Sequence, residues 1–159
     1  MSKTNKISLN QERYLIAEQY STTNFTLPIS YKIKGHLDFD KLVQCFQSVV
    51  DNNDALRIQF RKNSNGEITQ EVMLNNKIEF NRHSLNNPNY DEIEDVIRRY
   101  FYIKRNIFNS FHTRLQLIKI NENEHILTIS SHHSLMDGLS ITVLMMQLAK
   151  VWSQNRVVW

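Results

Sequence analysis

The run RLQLIKINENEHILTISSHHSLMDGLSITVLMMQLAKVWS, residues 114 to 153, changes its hydrophobic period partway along, and that change constrains the fold more than any other feature. Arg114 to Ile120 and His125 to Ser131 read as strands around the polar turn NENE. From Ser140 to Ser153, Ile141, Leu144, Met145, Leu148, Val151 and Trp152 recur at helical spacing. Two strands that run into an apolar helix require a layered fold in which the helix covers the sheet. Met145 and Met146 are expected as packing residues of that helix rather than as part of a cofactor box.

The rest of the chain repeats the theme. Ser8 to Tyr20 reads as a short helix with Ser8 as N-cap, and Leu27 to Lys34 as a strand ending at Gly35. Asp38 to Asp51 carries the clearest apolar stripe, formed by Phe39, Leu42, Val43, Phe46, Val49 and Val50, with Cys45 beside it as a small core residue. Leu56 to Arg61 and Glu67 to Leu74 flank NSNG, a hairpin signal, because Asn-Gly accepts the left-handed angles a tight turn needs. A short strand near Ile78 to Arg82 and a helix over Asp91 to Arg105 complete the series. With only three glycines and two prolines, asparagine supplies most of the turns, and neither linker nor repeat divides the chain. Helices interleaved with hairpins predict one α/β domain of the α+β two-layer sandwich kind, a mixed sheet covered by helices rather than a doubly wound parallel sheet. No glycine-rich loop exists to cradle a nucleotide phosphate.

The polar start MSKTNK is not a signal core, and no apolar run is long enough to span a membrane, so no membrane partner is expected. One cysteine excludes an internal disulfide, which suits a reducing, cytoplasmic compartment. The sequon at Asn24 is then accidental. Net charge is +3, and the densest basic stretch, RRYFYIKR at 98 to 105, interleaves aromatics as nucleic-acid binders do. Helical spacing explains it without nucleic acid: Ile93, Val96, Ile97, Tyr100 and Phe101 face inward and Arg98, Arg99, Tyr102 and Arg105 face water.

SHHSLMDGLS, residues 131 to 140, joins the last strand to the last helix, a usual place for working side chains on a rigid scaffold. Side chains alternate along a strand, so His132 and His133 face different surroundings, one the interior and one a cleft. That geometry disfavours a metal chelate made by both rings. Asp137 can cap the following helix, and Gly138 can supply an unusual backbone angle. Spacing alone leaves a catalytic histidine, a metal site and an inert turn all open.

HHSLMDG resembles the HHxxxDG signature of the condensation domains of nonribosomal peptide synthetases and of the wider chloramphenicol acetyltransferase-like acyltransferase superfamily. SLNQER, residues 8 to 13, resembles the family's S-x-A-Q-x-R element at Ser8, Gln11 and Arg13, with Asn10 in place of Ala. NNDALRIQF, residues 52 to 60, resembles R-H-x-x-L-R-x-x-F at Leu56, Arg57 and Phe60, with Asn52 and Asn53 in place of the Arg-His pair. The resemblance implies a chloramphenicol acetyltransferase-like lobe in which His133 is the catalytic residue, in a tunnel between two lobes. His132 and Gly138 would support it, and Asp137 would pair with an arginine, for which Arg57 is the candidate in this chain. The implied reaction is amide formation between an acyl or peptidyl thioester and an acceptor amine. This domain would bind no cofactor, and its substrates would ride on the phosphopantetheine of partner carrier proteins. Such carriers are acidic, so the basic Arg98 to Arg105 stretch would steer them. The resemblance covers the first half of such a domain. Residues 1 to 159 are therefore expected to form an N-terminal lobe whose second partner is the absent C-terminal lobe, to catalyse poorly alone, and to show an exposed apolar patch. An acyl-CoA-dependent O- or N-acyltransferase and a non-catalytic carrier-binding module are the alternatives.

Overall fold

The computed structural model describes residues 4–22, 24–74, 76–102 and 105–154. In chain order these form β1 (Thr4–Lys6), α1 (Leu9–Tyr20), β2 (Thr26–Lys34), α2 (Phe39–Asp51), a 3-10 turn (Asp54–Arg57), β3 (Ile58–Lys62), β4 (Ile68–Val72), β5 (Glu79–Ser84), α3 (Tyr90–Phe101), β6 (Arg114–Asn121), β7 (Glu124–His132) and α4 (Gly138–Gln154). Two sheets result: an antiparallel set in the order β1-β4-β3, and a mixed set in the order β2-β7-β6-β5 in which β5 and β6 run parallel across the α3 crossover. The α+β sandwich read from the element order is the observed fold.

The larger core lies between the four-stranded sheet and the paired helices α2 and α4. Leu115, Leu117, Leu127 and Ile129 project from β6 and β7 toward Phe46, Val49, Val50, Ile141, Leu144 and Leu148. Cys45 is fully enclosed there and behaves as a small apolar residue. A second core, around Leu15, Phe60 and Ile107, sits between α1 and the smaller sheet, and Leu135 of the β7–α4 connection packs against both. The Asn-Gly turn closes β3 on β4, with Gly66 at φ +85° and its N–H donating to the Asn63 carbonyl at 3.1 Å.

Several boundaries differ from the sequence reading. β1 was not expected; Thr4–Lys6 is a polar strand with no alternation to betray it, and it exists by pairing with β4. α3 ends at Phe101, not at Arg105. The Arg114 guanidinium donates to the Tyr100 and Phe101 carbonyls at 2.8 and 3.1 Å, and the Asn24 amide to Phe101 at 3.3 Å, so those groups terminate the helix. The inward and outward faces of α3 follow its spacing, with Phe101 fully buried and Arg98, Arg99 and Tyr102 exposed. Met145 packs against the core, but Met146 is 68% exposed, so only one of the two methionines fills the role expected of both. Among the described residues, no helix is long and apolar enough to cross a membrane.

Candidate active site

β7 runs between β2 and β6, and its ladder with β2 ends where His132 faces Thr26. One residue on, the His133 N–H donates to the Phe25 carbonyl at 2.9 Å, so the backbone stays anchored through both histidines. The N–H groups of Leu135 and Met136 then turn back onto the His132 carbonyl at 2.9 and 3.3 Å, and α4 begins at Gly138. Strand alternation separates the two rings.

His132 is enclosed, with 3% of its surface exposed. The Ser134 N–H donates to its Nδ1 at 3.1 Å, and the Ser134 hydroxyl lies 2.6 Å from the same nitrogen. An Nδ1 that accepts leaves Nε2 as the protonated nitrogen, and Nε2 lies 2.9 Å from the carboxylate of Glu18, itself buried. The same Glu18 oxygen accepts the Phe25 N–H at 3.2 Å. A third histidine borders this pair: the His112 ring centroid is 5.7 Å from that of His132, and its Nε2 is enclosed without a hydrogen-bond partner. Burial, and after it the electrostatic influence of the neighbouring His132, pushes the His112 imidazole down to about 4, with Glu18 opposing.

His133 is half-buried and stacks on an aromatic neighbour, with the Asp137 carboxylate close enough to interact with it electrostatically. Its ring stacks on Tyr14 of α1 with centroids 4.5 Å apart and planes 19° from parallel, and Tyr14 meets Phe25 edge-on at 5.7 Å. The His133 Nδ1 is enclosed and unpartnered, which leaves Nε2 as the nitrogen a substrate can reach.

Asp137 and Arg57 do not pair. Asp137 is exposed at the start of α4, where its Oδ1 accepts the Ser140 hydroxyl at 2.6 Å and the Ser140 N–H at 2.7 Å. Those bonds hold its carboxyl below the ordinary carboxylate range and make it the cap of α4, which is why the helix starts two residues before Ser140. Arg57 turns the other way, donating to the Met73 carbonyl at 2.9 Å and pairing with Asp54. Gly138 has no left-handed backbone angle, and a Cβ placed there would meet nothing within 4 Å, so open space rather than backbone freedom distinguishes this position.

The other matched positions are structural. Ser8 and Gln11 form a capping box at the start of α1, Gln11 reaches Gln70 of β4 at 3.0 Å, and the Arg13 guanidinium lies 5.1 Å from the Tyr14 ring centroid. Asn53 bonds the Val49 carbonyl at 2.6 Å and Gln147 of α4 at 2.8 Å. The Asn24 amide is likewise occupied within the fold. Glu18, Tyr14, Ser134 and His112 were missed from sequence. Only the four-residue spacing of Tyr14 and Glu18 on one helix hinted at a shared face, and nothing local links Glu18 to His132, 114 positions away.

The basic stretch at 98 to 105 is largely neutralised. Arg98 pairs with Glu94, Arg99 with Asp95, and Arg105 with Glu79 through two bonds. Beyond that stretch, Leu139, Val143 and Met146 are exposed along one stripe of α4, and Leu9, Ile16 and Tyr20 stand out on α1.

The chain belongs to the Condensation domain family, which matches residues 1–157. It is 28% identical over 153 residues to bacitracin synthase 2 of Bacillus licheniformis, covering 95% of this chain and 6% of that synthase. It is 24% identical over 156 residues to surfactin synthase subunit 1 of Bacillus subtilis, covering 95% and 4%. The starter condensation domain of rhizomide synthetase superposes with a TM-score of 0.84 at 19% identity, over 96% of this chain and 38% of that one. The X-domain from teicoplanin biosynthesis superposes with a TM-score of 0.84 at 17% identity, over 95% and 32%. The chain therefore spans a small part of the synthases it resembles and about a third of the superposed domains.

Proposed function

We propose that this chain serves as the N-terminal lobe of a peptide-synthetase condensation domain and that His133 is its working residue. The lobe would join a carrier-bound acyl or peptidyl thioester to an acceptor amine. The observation that carries the reading is the pairing of a family match over residues 1–157 with a His133 ring held flat by Tyr14, its Nδ1 enclosed. In the proposed reaction the amine nitrogen attacks the thioester carbonyl, a C–N bond forms and the C–S bond breaks. His133 Nε2 holds the amine in line and takes its proton, which passes to the departing thiolate. His132 stays locked against Glu18 and takes no proton in the cycle.

A second lobe supplies the opposite tunnel wall in this reading. The apolar stripe on α4 and the exposed Leu9, Ile16 and Tyr20 of α1 support it, because such surface is normally covered. The donor would arrive on the phosphopantetheine of an acyl or peptidyl carrier protein. With Arg98, Arg99 and Arg105 already paired, steering by that stretch adds little.

The test is a transfer assay on the native polypeptide that carries these residues, recovered with an antibody against them and sized by mass spectrometry. A polypeptide far heavier than 18.9 kDa that forms amide from a carrier-bound thioester and an amine, and loses at least about a hundredfold in rate on His133→Ala, bears the reading out. Transfer to an alcohol from acyl-CoA would instead make it a simpler acyltransferase. Tight carrier binding without transfer would make it a binding module, a reading supported by the solved complex of the structurally similar X-domain with OxyB. Full activity of His133→Ala would sink the proposal.

A further inference from the structure

Tyr14 and Glu18 lie four residues apart on α1, one turn along the same face, and each meets a different histidine of the signature. Glu18 accepts from His132 Nε2 and from the Phe25 N–H, while the carbonyl of Phe25 accepts from the His133 N–H. One buried carboxylate thus holds the ring of the first histidine directly and the backbone of the second through a single residue, Phe25. Tyr14 adds the remaining constraint. With Nδ1 enclosed and unpartnered, no hydrogen bond at that nitrogen sets the His133 ring plane, whereas in a serine-protease triad a carboxylate does so. The near-parallel ring of Tyr14 does it by stacking.

We infer that α1 is a clamp for the histidine pair, with Glu18 and Tyr14 as positioning residues: Glu18 anchors the Nε2–H of His132, whose tautomer the Ser134 N–H fixes, and the backbone course into His133, and Tyr14 sets the plane of the His133 ring. This rests on the reading of His133 as the working residue only for its effect on rate; the geometry stands without it. The clamp gives α1 a function its packing does not demand, since Leu15 and Glu18 are its only buried residues. It also links α1 to the reaction. A small rotation of that helix would tilt the His133 ring, and misplacing a reacting group by about 1 Å can lower a rate a hundredfold.

The experiment observes the histidine rings in the 159-residue chain, labelled with 15N-histidine, by long-range proton–nitrogen correlation. The wild-type spectrum should show His132 protonated at Nε2, with that proton slow to exchange, and His133 ring protons displaced upfield by the Tyr14 ring. Tyr14→Phe should keep the displacement and Tyr14→Leu should lose it. Glu18→Gln, which preserves shape and one acceptor oxygen, should keep the His132 tautomer but speed exchange of its Nε2 proton. Glu18→Ala should keep the tautomer that the Ser134 N–H fixes, but shift the His132 Nε2 signal and speed exchange of its proton further than Glu18→Gln does. In the transfer assay on the native polypeptide, Tyr14→Leu should lower kcat by about 10- to 100-fold with KM changed less than about twofold, and Tyr14→Phe should restore the rate. A His133 ring spectrum indifferent to Tyr14→Leu overturns the clamp, as does a His132 ring indifferent to Glu18→Ala. If both spectra respond but His133→Ala transfers at the full rate, the clamp stands and the catalytic reading fails.

Discussion

Two junctions of α-helix on sheet in this chain are made in opposite ways. Where α2 and α4 cover the four-stranded sheet, contact is almost wholly apolar, and Phe46, Leu115, Ile129 and Ile141 are completely enclosed. Where α1 meets the end of β7, the buried groups are Glu18, His132 and Ser134, joined by directed hydrogen bonds, with stacked rings beside them. The first junction depends on area and volume, which many side chains share. The second depends on angles held by three or four atoms. One region can therefore absorb loss of shape gradually while the other changes state with a single substitution.

The largest effect should come from the apolar junction. Phe46→Ala removes a fully buried ring and leaves a cavity, and should lower unfolding free energy by about 4 kcal/mol in a urea titration. The His132 and His133 ring signals of the surviving folded fraction should not move. If they do, the two junctions are mechanically one.

The next effect belongs to the polar junction and is driven by pH. His112, facing His132, Phe60, Glu18 and Arg114, titrates near 4 in the fold against about 6.5 ordinarily, because burial disfavours its charged form. Between those values the unfolded chain binds a proton there that the folded chain refuses. Stability is thus whole above pH 6.5 and falls as pH drops toward 4, by up to about 3 kcal/mol from this group. His112→Gln should flatten the urea midpoint against pH across that window relative to wild type; an unchanged slope would mean that His112 is not the group responsible.

The same contrast explains what the sequence disclosed. Periods of two and 3.6 are local, so β2, α2, β6, β7 and α4 were legible, as was the Asn63–Gly66 turn. β1 was not, because its three polar residues carry no period and its partner lies more than sixty positions on. At the site, the signature located His132 and His133, and strand alternation separated them. The partners of His132 and His133 came from α1, and no local pattern joins Glu18 to residue 132. Asp137 had two readings, a local cap and, from the resemblance, an ion pair with Arg57, and the cap formed since Ser140 is three residues away while Arg57 is taken up by Asp54 and Met73.

Removing Glu18 sharpens the comparison from the polar side. Glu18→Ala leaves the His132 Nε2–H and the Phe25 N–H buried without that acceptor, and should destabilise by about 2 kcal/mol. Combined with Phe46→Ala, which lies in the other core cluster, the two losses should add within about 0.5 kcal/mol. A larger coupling energy in that cycle would show that α1 and the main core yield together.

The smallest effect tests how α1 itself is held. Its buried side chains are few, so its start should depend on the capping box, in which the Ser8 hydroxyl accepts the Gln11 N–H at 3.2 Å and the Gln11 side chain accepts the Ser8 N–H at 2.8 Å. Ser8→Ala should lower stability by about 1 kcal/mol and speed amide exchange at Gln11 and Glu12, while Ser8→Asp, an equally good cap with a charge favoured at a helix N-terminus, should restore both. The informative reading is at the other end of the helix. If fraying at Ser8 leaves the His133 ring displacement by Tyr14 intact, the Glu18 bond is sufficient to hold the C-terminal half of α1. If the displacement fades with Ser8→Ala and returns with Ser8→Asp, the cap and the clamp act as one rigid body, and the S-x-x-Q pair at residues 8 and 11 orients the histidines from nearly two turns away.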